Sequence, residues 1–493
     1  MSIAGTEQVG QRSGIAAIPA WLIAGAGVYL LLLIRGNGLL NDPDMLWQIK
    51  VGQWIVAHHA VPFTDVYSFT RAGAPWMSSS WLAQVLFAKA FDLGGWSGVV
   101  ILSALAAAVA FALFTHILCR VLPPLHAGVA TVAILVLTMS HLLARPHVLA
   151  MPVMIAWVAG LVSASGRGKA PSLALLPLMT VWANLHGGFV FGLALIGAFA
   201  LDALWNAEAA QRKQVALRWI LFGLAAIGAS CVTPYGWGSL LAARNILSLG
   251  EVLSLIAEWR PVDFSHVNAL EVGLLALLGL ALHGGVKLTP PRILLVLGLV
   301  QMALAHSRNS EIFAFLLPLV VAKPLATQFA ALRTTTSAPV SVPPLRLVAV
   351  AVVLGGFTAA FAAGHSYVPL AGKSVAGAVQ AVKDHGARRV LNDYFFGGSL
   401  IAAGVPVFID SRAELYGEQF VLSYNSALQL QDVGKFLALL DAYRIDATML
   451  EPSSPAVHLL DRLDGWQRVY GDGDAVVHVR VTNAAPKIRP TLD

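Results

Sequence analysis

Eleven apolar runs, each close to the length of a bilayer crossing, set what this chain can fold into. They lie near 15–34, 97–118, 126–144, 147–165, 171–186, 188–205, 216–233, 268–284, 291–306, 310–326 and 346–364. A spanning helix needs about 20 mostly apolar residues, because in hydrocarbon every backbone polar group must be satisfied inside the segment. The chain is 57% hydrophobic and 12% charged, with mean hydropathy +0.72, a surface that water would not tolerate over 493 residues. The sequence therefore predicts an α-helical multi-span membrane bundle of about eleven transmembrane helices. Residues 20–34 are read as a retained first helix, since no small-residue cleavage pattern follows them. The tight connection at Asn184-Leu185-His186-Gly187-Gly188 allows the fifth and sixth spans to be tilted or broken.

Loop charge orients the bundle. One set of loops holds Arg120, Arg167, Lys169, Arg212, Lys213, Arg218, Lys287, Arg292, Lys323, Arg333 and Arg346. The other, the long first loop aside, holds only Arg145, Arg244, Arg260 and Arg308. By the positive-inside rule the first set is cytoplasmic. The expectation is a multi-pass inner-membrane protein with a cytoplasmic N-terminus and its polar motifs facing outward. The net charge of +6 and pI near 9.4 come from scattered loop residues, which excludes a nucleic-acid partner. Cys119 and Cys231 support neither a disulfide framework nor a thiolate metal site.

Two domains are expected. Residues 1–371 form the membrane domain, with a long first outer loop at 35–96 and a Thr/Ser/Pro-rich linker from Thr334 to Pro344. Residues 372–493 read as a C-terminal soluble α/β domain, periplasmic or extracellular, lying over the first loop. Its pattern predicts helices at 374–385, 396–403, 418–428, 432–442 and 455–463, and strands at 388–392, 405–409, 445–450, 466–470 and 474–481. In the first loop, Trp47, Val51, Trp54 and Ile55 mark one face of a helix along the bilayer surface, its tryptophans at the headgroups. A second surface helix is expected from Ser80 to Phe91.

Ionisable residues at membrane depth are costly, so a one-sided gathering of them reads as a site. Asp42-Pro43-Asp44 opens the first surface helix, a good helix start on capping grounds alone. A carboxylate at the lipid–water boundary can equally take a proton from an attacking hydroxyl. Two carboxylates can share a divalent cation, magnesium or manganese, although no ligand spacing selects a metal and no metal residues are assigned. His58 and His59 end that helix, where the macrodipole favours imidazolium; Asp65 is either a turn former or a ligand group. Arg145 and His147, and Asn184 and His186, mark the next outer hairpins; Arg145 either binds a phosphate or snorkels to headgroups. Glu258-Trp259-Arg260 and Arg308 with Glu311 are close enough in sequence for local ion pairs, the architectural alternative to binding. Asp410 and Arg412 follow a predicted strand end, where open α/β sheets bind ligands, and could instead anchor the soluble domain to the loop below. Gly397-Gly398 lets a backbone approach closely. No Walker loop, GxGxxG, HExxH, GxSxG or paired CxxC is present.

This layout resembles the GT-C superfamily of integral-membrane glycosyltransferases. The segments Asp42-Pro43-Asp44-Met45-Leu46-Trp47-Gln48, Pro62-Phe63-Thr64-Asp65-Val66-Tyr67-Ser68-Phe69-Thr70, Trp76 with Trp81-Leu82, Asn184-Leu185-His186-Gly187-Gly188 and Phe408-Ile409-Asp410-Ser411-Arg412 are similar to a bacterial branch grouped with it. The resemblance implies an inverting sugar transfer from a polyprenyl-phosphate-linked donor to a cell-envelope acceptor, whether glycan, lipid or protein. Asp44 or Asp42 would be the general base and Arg145 and Arg308 would hold the lipid phosphate. Asp65, His186 and Glu258 would orient sugar or acceptor, with His58, His59, His147, Asn184, Asp410 and Arg412 as further binding groups. Two departures stand out: Pro43 separates the paired acids, and the C-terminal signature of oligosaccharyltransferases is not matched. The rival readings are a non-catalytic assembly protein that binds envelope glycan or lipid, and a transporter. A transporter would carry charge deep in the bundle and on both faces, which one-sided clustering disfavours.

Overall fold

The structure, a computed structural model, describes residues 18–247, 249–334, 342–369 and 375–481. The expected domain start at 372 and most of the linker before Pro344 lie outside the described residues. Among the described residues, six helices are long and apolar enough to cross a membrane by length and composition: Trp81–Cys119, Pro124–His141, Pro146–Ser165, Phe189–Asn206, Ser307–Gln328 and Pro344–Gly364. Four shorter apolar helices, Ala20–Ile34, Leu173–Leu185, Ala269–Gly284 and Pro290–Ala305, stand where spans were expected. Arg212–Ser230 occupies the remaining position and opens on Arg212, Lys213 and Arg218. The eleven apolar runs are thus helices, while six meet the crossing criterion.

The second surface helix is not a separate element. It is the first part of Trp81–Cys119, which bends at Gly94 and Gly95 as it becomes the span. Gly95 has φ 56°, a conformation that glycine alone adopts without strain.

Residues 375–481 carry a four-stranded sheet. Its strands are β1 (Val390–Asn392), β2 (Ala447–Leu450), β3 (Trp466–Gly471) and β4 (Val476–Arg480), in the order β1-β2-β4-β3. β1 and β2 are parallel, and the other pairs antiparallel. The helices Ala376–Asp384, Gly397–Ala402, Glu418–Leu428, Val433–Ala442 and Pro455–Leu460 follow the periodicity of the sequence. The strand expected at 405–409 is reduced to one residue, because Pro406 lacks the N–H that a ladder needs. Val407 bridges Val390 on one side and Ser68 of the first loop on the other. Its N–H donates to the Tyr67 carbonyl at 3.1 Å, and its carbonyl accepts from Phe69 N–H at 3.0 Å. The first outer loop thereby extends the sheet of the C-terminal unit.

The helix Asp44–His58 also departs from the expectation of a helix lying flat on lipid. Trp47, Val51 and Ile55 are buried against Val379, Val382, Leu400 and Val407 of the C-terminal unit. An apolar stripe can be covered by protein as well as by hydrocarbon, and periodicity does not distinguish them. The seat is close. A Cβ added at Gly398 would stand 2.6 Å from the Pro43 carbonyl oxygen, so this position requires glycine. Gly398→Ala is expected to loosen the seat by roughly 1–3 kcal/mol of overpacking strain. Hydrogen exchange across Val390–Asn392 and Asp410–Arg412 should quicken by about tenfold to a hundredfold; unchanged protection would refute the close seat.

Candidate active site

Loops from distant parts of the chain meet where the C-terminal unit sits on the start of the helix Asp44–His58. Asp42 is buried, and its Oδ1 accepts the Asp44 N–H at 3.0 Å, as a helix-opening acid should. The same carboxylate takes two hydrogen bonds from Arg145: one from Nε to Oδ2 and one from Nη2 to Oδ1, the latter at 3.2 Å. The remaining Nη1 of Arg145 pairs with Glu258. Arg145, placed by the extended residue before Pro146–Ser165, is therefore consumed by two acids. Although burial works the other way, Arg145 holds the Glu258 carboxyl below its usual range.

Neither local ion pair suggested by sequence spacing forms. Arg260 turns outward to the carbonyls of Ser254 and Leu255. Glu311 lies 3.4 Å from His147 Nε2, not on Arg308. Arg308 stacks on Trp259, its guanidinium carbon 4.5 Å from the ring centroid, and has no carboxylate partner among the described residues. A guanidinium held by an aromatic face keeps its donors for a ligand. His147 also faces the His141 carbonyl at 3.1 Å, and its ring stands 6.2 Å from that of His186. His186 is the extended residue that ends Leu176–Leu185, and its Nδ1 accepts the Gly188 N–H.

Asp44 is half-buried beside this cluster. Burial, and next the negative charge of Asp42, push its carboxyl from 3.8 up to about 7, against the pull of Arg145. Sequence reasoning missed what surrounds Asp44 from above. Ser411 accepts the Trp47 indole N–H at 2.9 Å. Glu414 accepts that of Trp76 at 3.2 Å, and its carboxyl is raised by burial although its surface remains accessible to solvent. Burial first, and then the charges of Asp44, Glu414 and Asp410, push the Tyr394 hydroxyl well above its usual range. The carboxyl ends of β1 and of the 405–409 segment were the signal for this region, but not for which side chains turn toward Asp44.

Other expected binding groups are placed elsewhere. Asp65 and Asp410 are buried on Arg412, which is 1% exposed: Nη1 to Asp65 at 2.7 Å, Nη2 to Asp410 at 2.6 Å. Asp65 also closes a turn by accepting Ser68 N–H and Tyr67 N–H, and Tyr416 donates to Asp410. These three residues clamp the C-terminal unit to the first loop and offer nothing to a ligand. His58 stacks on Trp54 at the far end of its helix, and His59 is the left-handed residue that ends it; both are exposed. They are separated from Asp44 by the helix length, about 1.5 Å per residue. Asn184 is committed to Trp81, Thr180 and Val232. It lines an apolar cavity of about 400 Å³ with Leu82 and Val181.

At the opposite end of the bundle, Arg292 and Asp202 form a buried ion pair, with Thr289, Ser165 and Asn206 also bonded to Asp202. Charge is thus present on both faces, but there it is closed on itself. No group of three His, Cys, Asp or Glu suited to a metal occurs among the described residues. Both oxygens of Asp42 are taken by Arg145, so Asp42 and Asp44 do not fit a shared magnesium or manganese ion.

No protein-family model matches the chain, and no curated protein matches it by sequence. Two crystal structures of the oligosaccharyltransferase of Archaeoglobus fulgidus share its fold. The apo form has a TM-score of 0.55 at 11% identity, covering 87% of this chain and 69% of that one. The form tethered by a disulfide bond to an acceptor peptide containing the NVT sequon has a TM-score of 0.56 at 11% identity, covering 87% and 68%. At such identity the likeness is one of fold.

Proposed function

We propose that this protein transfers a sugar from a polyprenyl-phosphate donor to a cell-envelope acceptor at the outer face of the inner membrane. The observation that carries the reading is the division of charge in the cluster at the start of the helix Asp44–His58. Arg145 is neutralised by Asp42 and Glu258, Arg308 lies on Trp259 under the longer-range fields of Glu258 and Glu311 with no direct ion pair among the described residues, and Asp44 has a carboxyl poised near neutrality. In this scheme the acceptor hydroxyl gives its proton to Asp44 as its oxygen attacks the sugar C1. The bond from C1 to the phosphate oxygen breaks, and the electron pair leaves on the lipid phosphate, whose charge Arg308 receives. In-line attack inverts the anomeric centre. Asp42, expected as an alternative base, instead holds Arg145, and Arg145 is a scaffold cation more than a phosphate ligand.

Lys and Arg asymmetry among the loops supports eleven crossings, a cytoplasmic N-terminus and a periplasmic C-terminal domain from 372 onward. In this scheme His147 and His186 would meet sugar or acceptor from the membrane domain, and Tyr394 and Glu414 from the C-terminal unit. The transferase named for the similar fold, and the acceptor peptide tethered to it, agree with this reading as analogy.

The test is donor affinity. Arg308→Ala should raise KM for a radiolabelled polyprenyl-phosphate sugar by about tenfold to a hundredfold, the worth of charge-assisted bonds to phosphate. Arg308→Lys should recover part of it, because a point charge remains but the fork does not. Wild-type KM in Arg308→Ala would remove the phosphate from this position.

A further inference from the structure

Two tryptophans buried among the apolar helices are treated differently. Trp157 stacks on Phe222 and gives its indole N–H to the Gly192 carbonyl at 3.0 Å. Trp219, three residues before Phe222, is 2% exposed, and its indole N–H has no acceptor among the described residues. In hydrocarbon no water takes such a proton, so an orphan donor is costly there. Trp219 lines an apolar groove of about 310 Å³ between the helices Phe189–Asn206 and Arg212–Ser230. Small residues keep it open: Gly197 and Ala200 on one helix, Ala216 and Gly223 on the other. A Cβ built on Gly197 would meet nothing within 4 Å, and one on Gly223 only Ile196 at 3.8 Å.

The groove has a basic mouth. Arg212 and Lys213 open their helix one turn before Ala216, on the face that Ala216 and Trp219 share, and both are exposed. Glu208, the acid nearest them in sequence, accepts from Gln211 at 3.3 Å. This mouth is at the end of the bundle away from His186, because Phe189–Asn206 begins beside His186 and ends just before Arg212. Trp219 stands about 10 Å along the axis from Arg212, and long side chains lean toward the helix N-terminus, here toward the mouth. An indole donor thus sits at the depth of a lipid's ester groups, with cations at the depth of its phosphate.

We propose that this groove binds one anionic glycerophospholipid of the leaflet away from the candidate active site, with an acyl chain in the groove, an ester carbonyl on the Trp219 N–H and the phosphate at Arg212 and Lys213. A bare hydrocarbon chain would leave the donor unpaired. A helix of a second copy would do the same, since its carbonyls are spent on its own turns. The site goes beyond the transfer reaction and does not rest on it.

The full chain, purified in detergent, is titrated with phosphatidylglycerol, and bound copies are counted by native mass spectrometry. One copy should bind more tightly than the rest. The ether-linked analogue, which lacks the ester carbonyls, should bind wild type about twofold to tenfold more weakly, the worth of one hydrogen bond. Trp219→Phe should weaken the ester lipid by the same factor and no longer distinguish ester from ether. Arg212→Gln with Lys213→Gln should weaken binding by about tenfold or more while the ester-to-ether ratio persists. Gly223→Leu, which fills the groove, should abolish the tight copy. Equal binding of ester and ether lipids to wild type would overturn the assignment, as would a wild-type dimer that Gly223→Leu separates into single chains.

Discussion

Asp44→Asn is expected to lower sugar transfer by about a hundredfold to ten-thousandfold, the usual contribution of a positioned general base. Asn keeps the size and one acceptor oxygen but cannot take a proton, so donor KM should change little while kcat falls. The pH dependence supplies an independent check. A base works only when ionised, and burial together with Asp42 raises this carboxyl to about 7. Activity should therefore climb as pH rises through about 7, whereas an unperturbed aspartate would already be ionised above about 5. Initial rates with a radiolabelled donor, taken across that range for wild type and Asp44→Asn, decide the matter. A flat wild-type profile, or full turnover in the variant, would deprive Asp44 of its role.

The second large effect concerns how the molecule is held together. Arg412→Ala is expected to destabilise the seat of the C-terminal unit by about 3–5 kcal/mol, because it strands the carboxylates of Asp65 and Asp410 out of water with no cation. Arg412 stacks on Trp76 at 4.6 Å, so packing is lost along with charge. Removing the acids as well, in Asp65→Asn with Asp410→Asn, should recover part of the loss, since no buried charge then lacks a partner. Thermal unfolding followed by tryptophan fluorescence would show it. A midpoint for Arg412→Ala within a degree or so of wild type would mean that the clamp is ornamental.

Much of the architecture was legible in advance, for a reason particular to each element. Helix Glu418–Leu428 and strand Ala447–Leu450 lie close to where their periodicities put them, since burial on one face imposes a period that neighbours cannot erase. The first-loop helix was legible as amphipathic, but its cover was not: the same stripe of Trp47, Val51 and Ile55 would suit lipid or protein. The strand at 405–409 failed because one proline outweighed the β-rich residues around it. Spacing named Asp42, Asp44, Arg145, Glu258 and Arg308 as members of one constellation, yet it suggested the wrong pairs. Glu258 and Arg260 are two residues apart and do not meet, while Glu258 and Arg145 are far apart in the chain and do. Asp202 and Arg292 escaped notice for the same cause, being far apart in the chain.

The amino-acid order by itself determined the helices, the sheet and the face on which ionisable groups gather, because these follow from hydrophobic period and from the expense of charge in hydrocarbon. Only the tertiary structure decided which charges cancel. Ion pairing depends on distances of a few ångströms between loops, and those are set by how the helices pack and how the C-terminal unit sits. That packing spends Arg145 and Arg412 on carboxylates, leaves Arg308 on Trp259, and brings Ser411 to Trp47 from the other end of the chain.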